Sequence, residues 1–222
     1  MATCVIIPAH NEAATVAGLI KKIKQLNLDV VLVDDDSTDN TVGVAREAGA
    51  VILSSGANHG KGVSLIRGFD YALNYGYEAV LTMDGDGQHL PEDIPSFLNT
   101  ANTSSAPVFI GNRMQDTKRM PLIRLLVNKF LSWLISSITG QNIPDSQCGF
   151  RLIKAELLKK MHLVSQRFEI ESEILIRASQ LGSEIVSIPI KTVYKSNRSH
   201  IDSFKDTFRF IWFIIKEIFK RD

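Results

Sequence analysis

The residues best suited to chemistry are Asp84 and Asp86, in the run Asp84-Gly85-Asp86-Gly87-Gln88-His89, which follows an apolar stretch at 79–83. That stretch reads as a buried strand, so both carboxylates stand at a strand's carboxyl end. Hard divalent cations such as Mg²⁺ or Mn²⁺ prefer oxygen ligands, and a Mg²⁺ site commonly takes only one or two protein carboxylates beside waters and substrate phosphates. The pattern therefore suits a metal-bound nucleoside diphosphate. The same short motif also serves as an ordinary turn that caps a helix.

Two other strand ends carry polar residues. Cys4-Val5-Ile6-Ile7 reads as a short strand that breaks at Pro8 and runs through Ala9, His10, Asn11 and Glu12 into an amphipathic helix. Residues 30–33 form a second strand, ending in Asp34-Asp35-Asp36-Ser37-Thr38-Asp39. In open α/β sheets ligands bind beyond the carboxyl edge, where loops from several strands converge. Ser37 and Asp39 fit the capping of the next helix, whereas Asp35 is a candidate binding residue.

The elements that must position these groups alternate along the chain. Helical patterns at 16–26, 41–48, 61–74 and 94–102 are interleaved with strands, including late ones at 106–111 and 184–190. That alternation predicts an α/β fold with βαβ units and a mainly parallel central sheet. At 222 residues the chain fits one domain. Gly56-Ala57-Asn58-His59-Gly60-Lys61-Gly62 is not a phosphate-binding P-loop, which needs four residues between its glycines and Ser or Thr after the lysine. Its amides, at a helix start, could still receive an anion.

Taken together, Ile7 to Glu12, Val33 to Asp39, Asn58 to Gly62 and Met83 to His89 resemble glycosyltransferase family 2 in order and spacing. The likeness continues through Gly111-Asn112-Arg113 and Asp145-Ser146-Gln147-Cys148-Gly149-Phe150-Arg151. There it is most similar to the dolichyl- and polyprenol-phosphate sugar synthases, and it weakens after about Val193.

The resemblance implies a GT-A type nucleotide-sugar-binding fold and an inverting hexosyltransferase using a GDP-mannose or UDP-glucose type donor. The single domain is expected to comprise a nucleotide-sugar half over 1–112, an acceptor half over 113–200 and, from its own apolar pattern, a C-terminal amphipathic helix over 201–222. Pro8, Ala9, Asn11, Glu12, Asp35, Lys61 and Asp84 would bind the donor. Asp84, Asp86 and Gln88 would hold Mg²⁺ or Mn²⁺, with Asp86, Arg113 and Glu171 as catalytic candidates.

The acceptor decides whether a base is needed. A sugar hydroxyl loses a proton on attack, whereas a lipid phosphate is already anionic. A phosphate acceptor calls for arginines, whose planar fork matches its oxygens. Arg113, Arg124, Arg198 and Lys205 are the candidates. The family's tighter pattern of Arg, Gly and Ser-Lys is replaced here by Arg198-Ser199-His200-Ile201-Asp202-Ser203-Phe204-Lys205. Among Glu169, Glu171 and Glu173, Glu171 is the choice for a base, although acids there also suit the first turn of a helix over 170–181.

Composition narrows the partners. A net charge of +1 with no basic run argues against nucleic acid. Two cysteines make neither a disulfide framework nor a metal cluster and suit a reducing compartment. The five histidines lack zinc spacing. No signal peptide or membrane span is expected. The segment 122–138 reads as an amphipathic helix, interrupted by Arg124, Asn128 and Lys129.

Five of the eleven phenylalanines lie at 204, 208, 210, 213 and 219, in an apolar arc suited to a bilayer interface, core packing or a dimer. The expectation is a cytoplasmic enzyme, peripheral at the membrane face, with a polyprenyl phosphate partner and a possible membrane-protein partner or second copy. An inactive sugar-nucleotide-binding scaffold is the alternative of another class.

Overall fold

In the computed structural model, residues 1–117, 120–191 and 193 are described. The strands are β1 (Thr3–Ala9), β2 (Asp29–Asp34), β3 (Val51–Ser54), β4 (Ala79–Thr82), β5 (Val108–Asn112), β6 (Arg151–Lys154) and β7 (Ile185–Pro189). They form one sheet in the order β3-β2-β1-β4-β6-β5-β7. β6 is antiparallel to both β4 and β5, while the remaining pairs are parallel. The expected α/β architecture with a mainly parallel sheet is therefore present.

The helices are α1 (Val16–Lys24), α2 (Thr41–Glu47), α3 (Lys61–Asn74), α4 (Ile94–Thr103), α5 (Leu122–Thr139), α6 (Ala155–Leu158) and α7 (Ile170–Gln180). Alternate side chains of a strand point to opposite faces. Val5 and Ile7 accordingly pack with Val16, Leu19, Ile20 and Phe97 on one face, and Cys4 and Ile6 with Leu65, Phe69, Leu131, Ile135 and Ile174 on the other.

Two features of the sheet position the site. Chain order reverses at β1, which lies between β2 and β4, and such a switch point opens a crevice at the carboxyl edge. Because β6 runs backwards, its first residue rather than its last stands at that edge: Arg151 pairs with Thr82. The 145–150 loop is thereby delivered beside Asp84. The strand expected to break at Pro8 instead continues to Ala9. Pairing with β4 stops at Ile6 and Thr82, so Pro8, which lacks an N–H, lies where β2 is the remaining neighbour.

Helix α5 is inverted relative to an ordinary surface helix. Asn128 and Ser132 are buried with Leu131 and Ile135, while Leu122, Ile123, Leu126, Val127, Phe130 and Trp133 are exposed. The reason is polar fastening: Asn128 Nδ2 donates to Asp145 Oδ1 at 2.9 Å, and Ser132 Oγ accepts from the Ser146 amide at 2.9 Å. By length and composition this helix is apolar enough to cross a membrane, which the reading of charges along the sequence did not anticipate.

Candidate active site

The crevice is built around Lys61, the first residue of α3. Its ammonium lies 2.5 Å from Asp84 Oδ1 and 2.6 Å from Glu171 Oε1. Burial disfavours the charged lysine, but the two carboxylates outweigh it and hold the ammonium above the usual lysine range. Burial likewise opposes ionisation of Asp84, and Lys61 reverses it, keeping that carboxyl well below the usual range. Asp86 is shifted the other way, raised by burial and then by the neighbouring Asp84 charge. Arg124, in the first turn of α5, partly offsets this.

Gly149 makes the arrangement possible. A Cβ there would lie 2.8 Å from Asp84 Oδ2 and 3.0 Å from Glu171 Oε1, closer than atoms pack. The strand β4 is tied to the same residue, since Thr82 Oγ1 donates to the Gly149 carbonyl at 2.7 Å.

The approach to α3 is secured by groups that sequence reading had offered to ligands. Asp35 accepts from the His59 amide at 2.8 Å and the Gly60 amide at 2.9 Å. The Gln166 carbonyl accepts from the Gly62 amide at 2.8 Å and the Val63 amide at 3.3 Å. These four amides are therefore engaged within the protein, which corrects the expectation that the helix start offers them to an anion. The Lys61 side chain is a cation at this helix start, held by Asp84 and Glu171. Gly60 has φ of 97°, and a Cβ on it would meet the Gln166 carbonyl oxygen at 2.7 Å.

The residues proposed for the nucleotide gather at the ends of β1 and β2. Asn11, at φ 59°, receives the Thr38 amide on its Oδ1 at 2.8 Å and donates its own amide to Ser37 Oγ at 2.9 Å. The Glu12 amide donates to Thr41 Oγ1 at 2.8 Å, and Thr15 Oγ1 donates to the Gly85 carbonyl at 2.6 Å. The turn after Pro8 and Ala9, the β2 loop and the Asp84 loop are thus laced into one rim. Asp39, expected as a cap, accepts the Thr41 amide at 2.9 Å.

Arg113, at the end of β5, is buried against Asp145: Nε to Oδ2 is 2.7 Å and Nη2 to Oδ1 is 2.8 Å. Of the three glutamates near α7, Glu171 faces Lys61. Glu173 is turned inward, accepting the Val164 amide at 3.1 Å and the Ser165 amide at 2.8 Å. It fixes the loop on which α3 rests. His89, 3% exposed, is held by burial near a pKa of about 4 and is neutral at physiological pH; its Nδ1 accepts the Asp84 amide at 3.4 Å.

Sequence reading gave no role to Arg151. It is 1% exposed, with Nε donating to the Cys148 carbonyl and Nη2 to the Ser146 carbonyl, both at 2.7 Å, and Nη1 to the Glu171 carbonyl. This one side chain holds the 146–149 loop against α7. An arginine between a Cys-Gly-Phe run and the apolar Leu152 and Ile153 was the available signal. Arg198 and Lys205, with the expected helix over 201–222, lie outside the described residues.

Asp84 and Asp86 offer hard oxygen donors, one firmly ionised and the other raised by burial and then by the neighbouring Asp84 charge, both of which a bound cation would offset. Among the described residues no group of three or more His, Cys, Asp or Glu converges as a metal cluster. The pair fits a cation that draws its other ligands from water and phosphate, as Mg²⁺ does. The Gln88 backbone N–H donates to Asp86 Oδ1 at 2.9 Å, which keeps this residue beside the pair.

Residues 4–161 match the family described as Glycosyl transferase family 2. The chain belongs to that family. A UDP-N-acetylglucosamine–dolichyl-phosphate N-acetylglucosaminyltransferase of Methanococcus voltae is 30% identical over 212 residues, covering 85% of this chain and 84% of the relative. An undecaprenyl-phosphate mannosyltransferase of Micrococcus luteus is 29% identical, covering 87% and 84%. Glucosyl-3-phosphoglycerate synthase from Mycobacterium tuberculosis, solved with Mn²⁺, UDP and phosphoglyceric acid, superposes with a TM-score of 0.77 at 20% identity, covering 99% of this chain and 78% of that one. At that identity the likeness speaks for the fold, which is of GT-A type. The protein is a glycosyltransferase.

Proposed function

We propose that this glycosyltransferase moves a hexose, with inversion, from a GDP-mannose or UDP-glucose type donor to a polyprenyl or dolichyl phosphate at the cytoplasmic membrane face. The observation that carries this reading is the adjacency of a charged crevice and a greasy helix. Arg124 stands in the first turn of α5, whose inner face is tied through Asn128 to Asp145 in the loop that reaches Asp84, and the exposed face of α5 runs on through Leu126, Phe130 and Trp133. A polyprenyl phosphate would use an apolar path leading up to an arginine, and α5 carries an exposed apolar face with Arg124 near its start. The names of the two lipid-phosphate relatives support the same acceptor class.

In this reading Pro8, Ala9, Asn11, Glu12 and Asp35 form the nucleotide rim, and Lys61 addresses the donor diphosphate. Asp84, Asp86 and Gln88 hold Mg²⁺ or Mn²⁺, which when bound supplies Lewis-acid stabilisation of the departing diphosphate. Arg113, set by Asp145, and Arg124 orient the acceptor phosphate. The acceptor is already anionic, so no base is required. The observed engagement of Glu171 with Lys61 agrees with that.

Asp86→Ala tests the reading. Sugar transfer is expected to disappear while the circular dichroism spectrum stays unchanged, and transfer at the wild-type rate would overturn it.

A further inference from the structure

The two carboxylates that share Lys61 differ in setting. The Glu171 side chain is 7% exposed and that of Asp84 is 30% exposed. The Glu171 carboxylate lies against Gly149, and its backbone carbonyl accepts from the Arg151 guanidinium. Asp84 stands on the crevice side, at the end of β4. Its Oδ1 is in contact with an ammonium at 2.5 Å, whereas a Mg²⁺ ligand distance is about 2.0–2.1 Å. A metal ligated by the same oxygen would stand about 4 Å from the ammonium, where two like charges repel, and more strongly in a buried site than in water.

We infer that Lys61 is an exchangeable cation: tethered by Glu171, it gives up Asp84 for the donor's diphosphate, and the oxygen so released becomes a metal ligand. The inference rests on the metal reading of Asp84 and Asp86 given above. Glu171 is then a positioning residue that keeps the ammonium in reach of both places. A diphosphate offers the anionic oxygens that compensate Lys61 for the lost carboxylate. Nucleotide and divalent cation therefore assist one another through Lys61, beyond any direct bond between them, and by linkage the assistance is mutual.

The test measures Mn²⁺ binding to the full chain by the electron paramagnetic resonance signal of free Mn²⁺, without nucleotide and with saturating UDP or GDP. The quantity read is the ratio of the two dissociation constants. For Lys61→Met, Mn²⁺ binding without nucleotide should tighten about tenfold, and the ratio should fall by a similar factor, within the usual range of coupling between sites.

Simple removal of a nearby positive charge would instead shift both constants equally, and an unchanged ratio would overturn the inference. Lys61→Met leaves Glu171 buried without its cation, so Lys61→Met/Glu171→Gln, which removes both charges, is measured beside it and must show the same fall. If wild-type protein binds no Mn²⁺ with either diphosphate, the metal reading itself fails and the inference with it. An unchanged ratio in a protein that does bind Mn²⁺ defeats the inference alone.

Discussion

Arg113 lays its guanidinium along the carboxylate of Asp145, with Nε 2.7 Å from Oδ2 and Nη2 2.8 Å from Oδ1, in a site where Asp145 is 0% exposed. Asp145 also accepts the Arg113 amide at 3.0 Å and Asn128 Nδ2 at 2.9 Å. The pair thus joins the end of β5, the loop before β6 and the inner face of α5. Removing one partner of a buried pair costs about 3–5 kcal/mol, because it leaves the other charge desolvated. Asp145→Ala is expected to lower the denaturant midpoint accordingly, and a loss under about 1 kcal/mol would contradict this.

The same pair sets part of the acid sensitivity. Burial raises the Asp145 carboxyl, but the Arg113 hydrogen bonds and charge outweigh it, leaving it below the ordinary 3.8. A carboxylate depressed in the folded state stabilises above its unfolded value and loses that contribution as pH falls through the folded one. Wild-type stability should therefore drop below about pH 4. In Asp145→Asn that part of the slope should be absent, as read by urea melts from pH 5 to pH 2.

Much of the crevice was legible because its residues are local in sequence. Asp84 and Asp86 follow a strand that apolar residues announce, and α3 begins at Lys61 as its glycines suggest. What pairs with them was not legible. Lys61 and Glu171 are 110 positions apart, and no local pattern says that the latter would be a counterion. The four-residue strand β6 is defined by partners on either side rather than by its own period, so its reversed direction, which brings Gly149 to Asp84, went unseen. The inversion of α5 was hidden for a similar reason. Asn128 looked like an interruption of an apolar segment until Asp145 was placed beneath it.

Gly149→Ala probes that close approach. The added Cβ would meet Asp84 Oδ2 at 2.8 Å and Glu171 Oε1 at 3.0 Å, so the carboxylates must shift. A misplacement of about 1 Å costs on the order of 100-fold in rate. The expected result is that loss in kcat/KM with the fold retained, and a rate within about threefold of wild type would argue that these carboxylates are not positioned for chemistry.

Glu171 separates the acceptor classes. If it anchors Lys61, Glu171→Gln should lower turnover without changing the shape of the pH–rate profile. If it deprotonates a sugar hydroxyl, the substitution should remove the acid limb of kcat/KM. The account here predicts the first result.

Helix α5 carries the membrane claim. Phe130 and Trp133 are 55% and 63% exposed, so replacing both by Ser should change stability by no more than about 0.5 kcal/mol each. Binding to vesicles of phosphatidylethanolamine and phosphatidylglycerol, read by flotation, should fall at least about tenfold. Unchanged flotation would remove α5 from the membrane contact.

The most direct measurement is transfer of radiolabelled sugar from a panel of GDP- and UDP-sugars, with Mn²⁺ or Mg²⁺, into chloroform-soluble product, comparing polyprenyl phosphate with the corresponding polyprenol. The account predicts labelled lipid that requires the metal and forms with the phosphate alone. Donor hydrolysis or transfer to a sugar hydroxyl, with no labelled lipid under any donor, would contradict it.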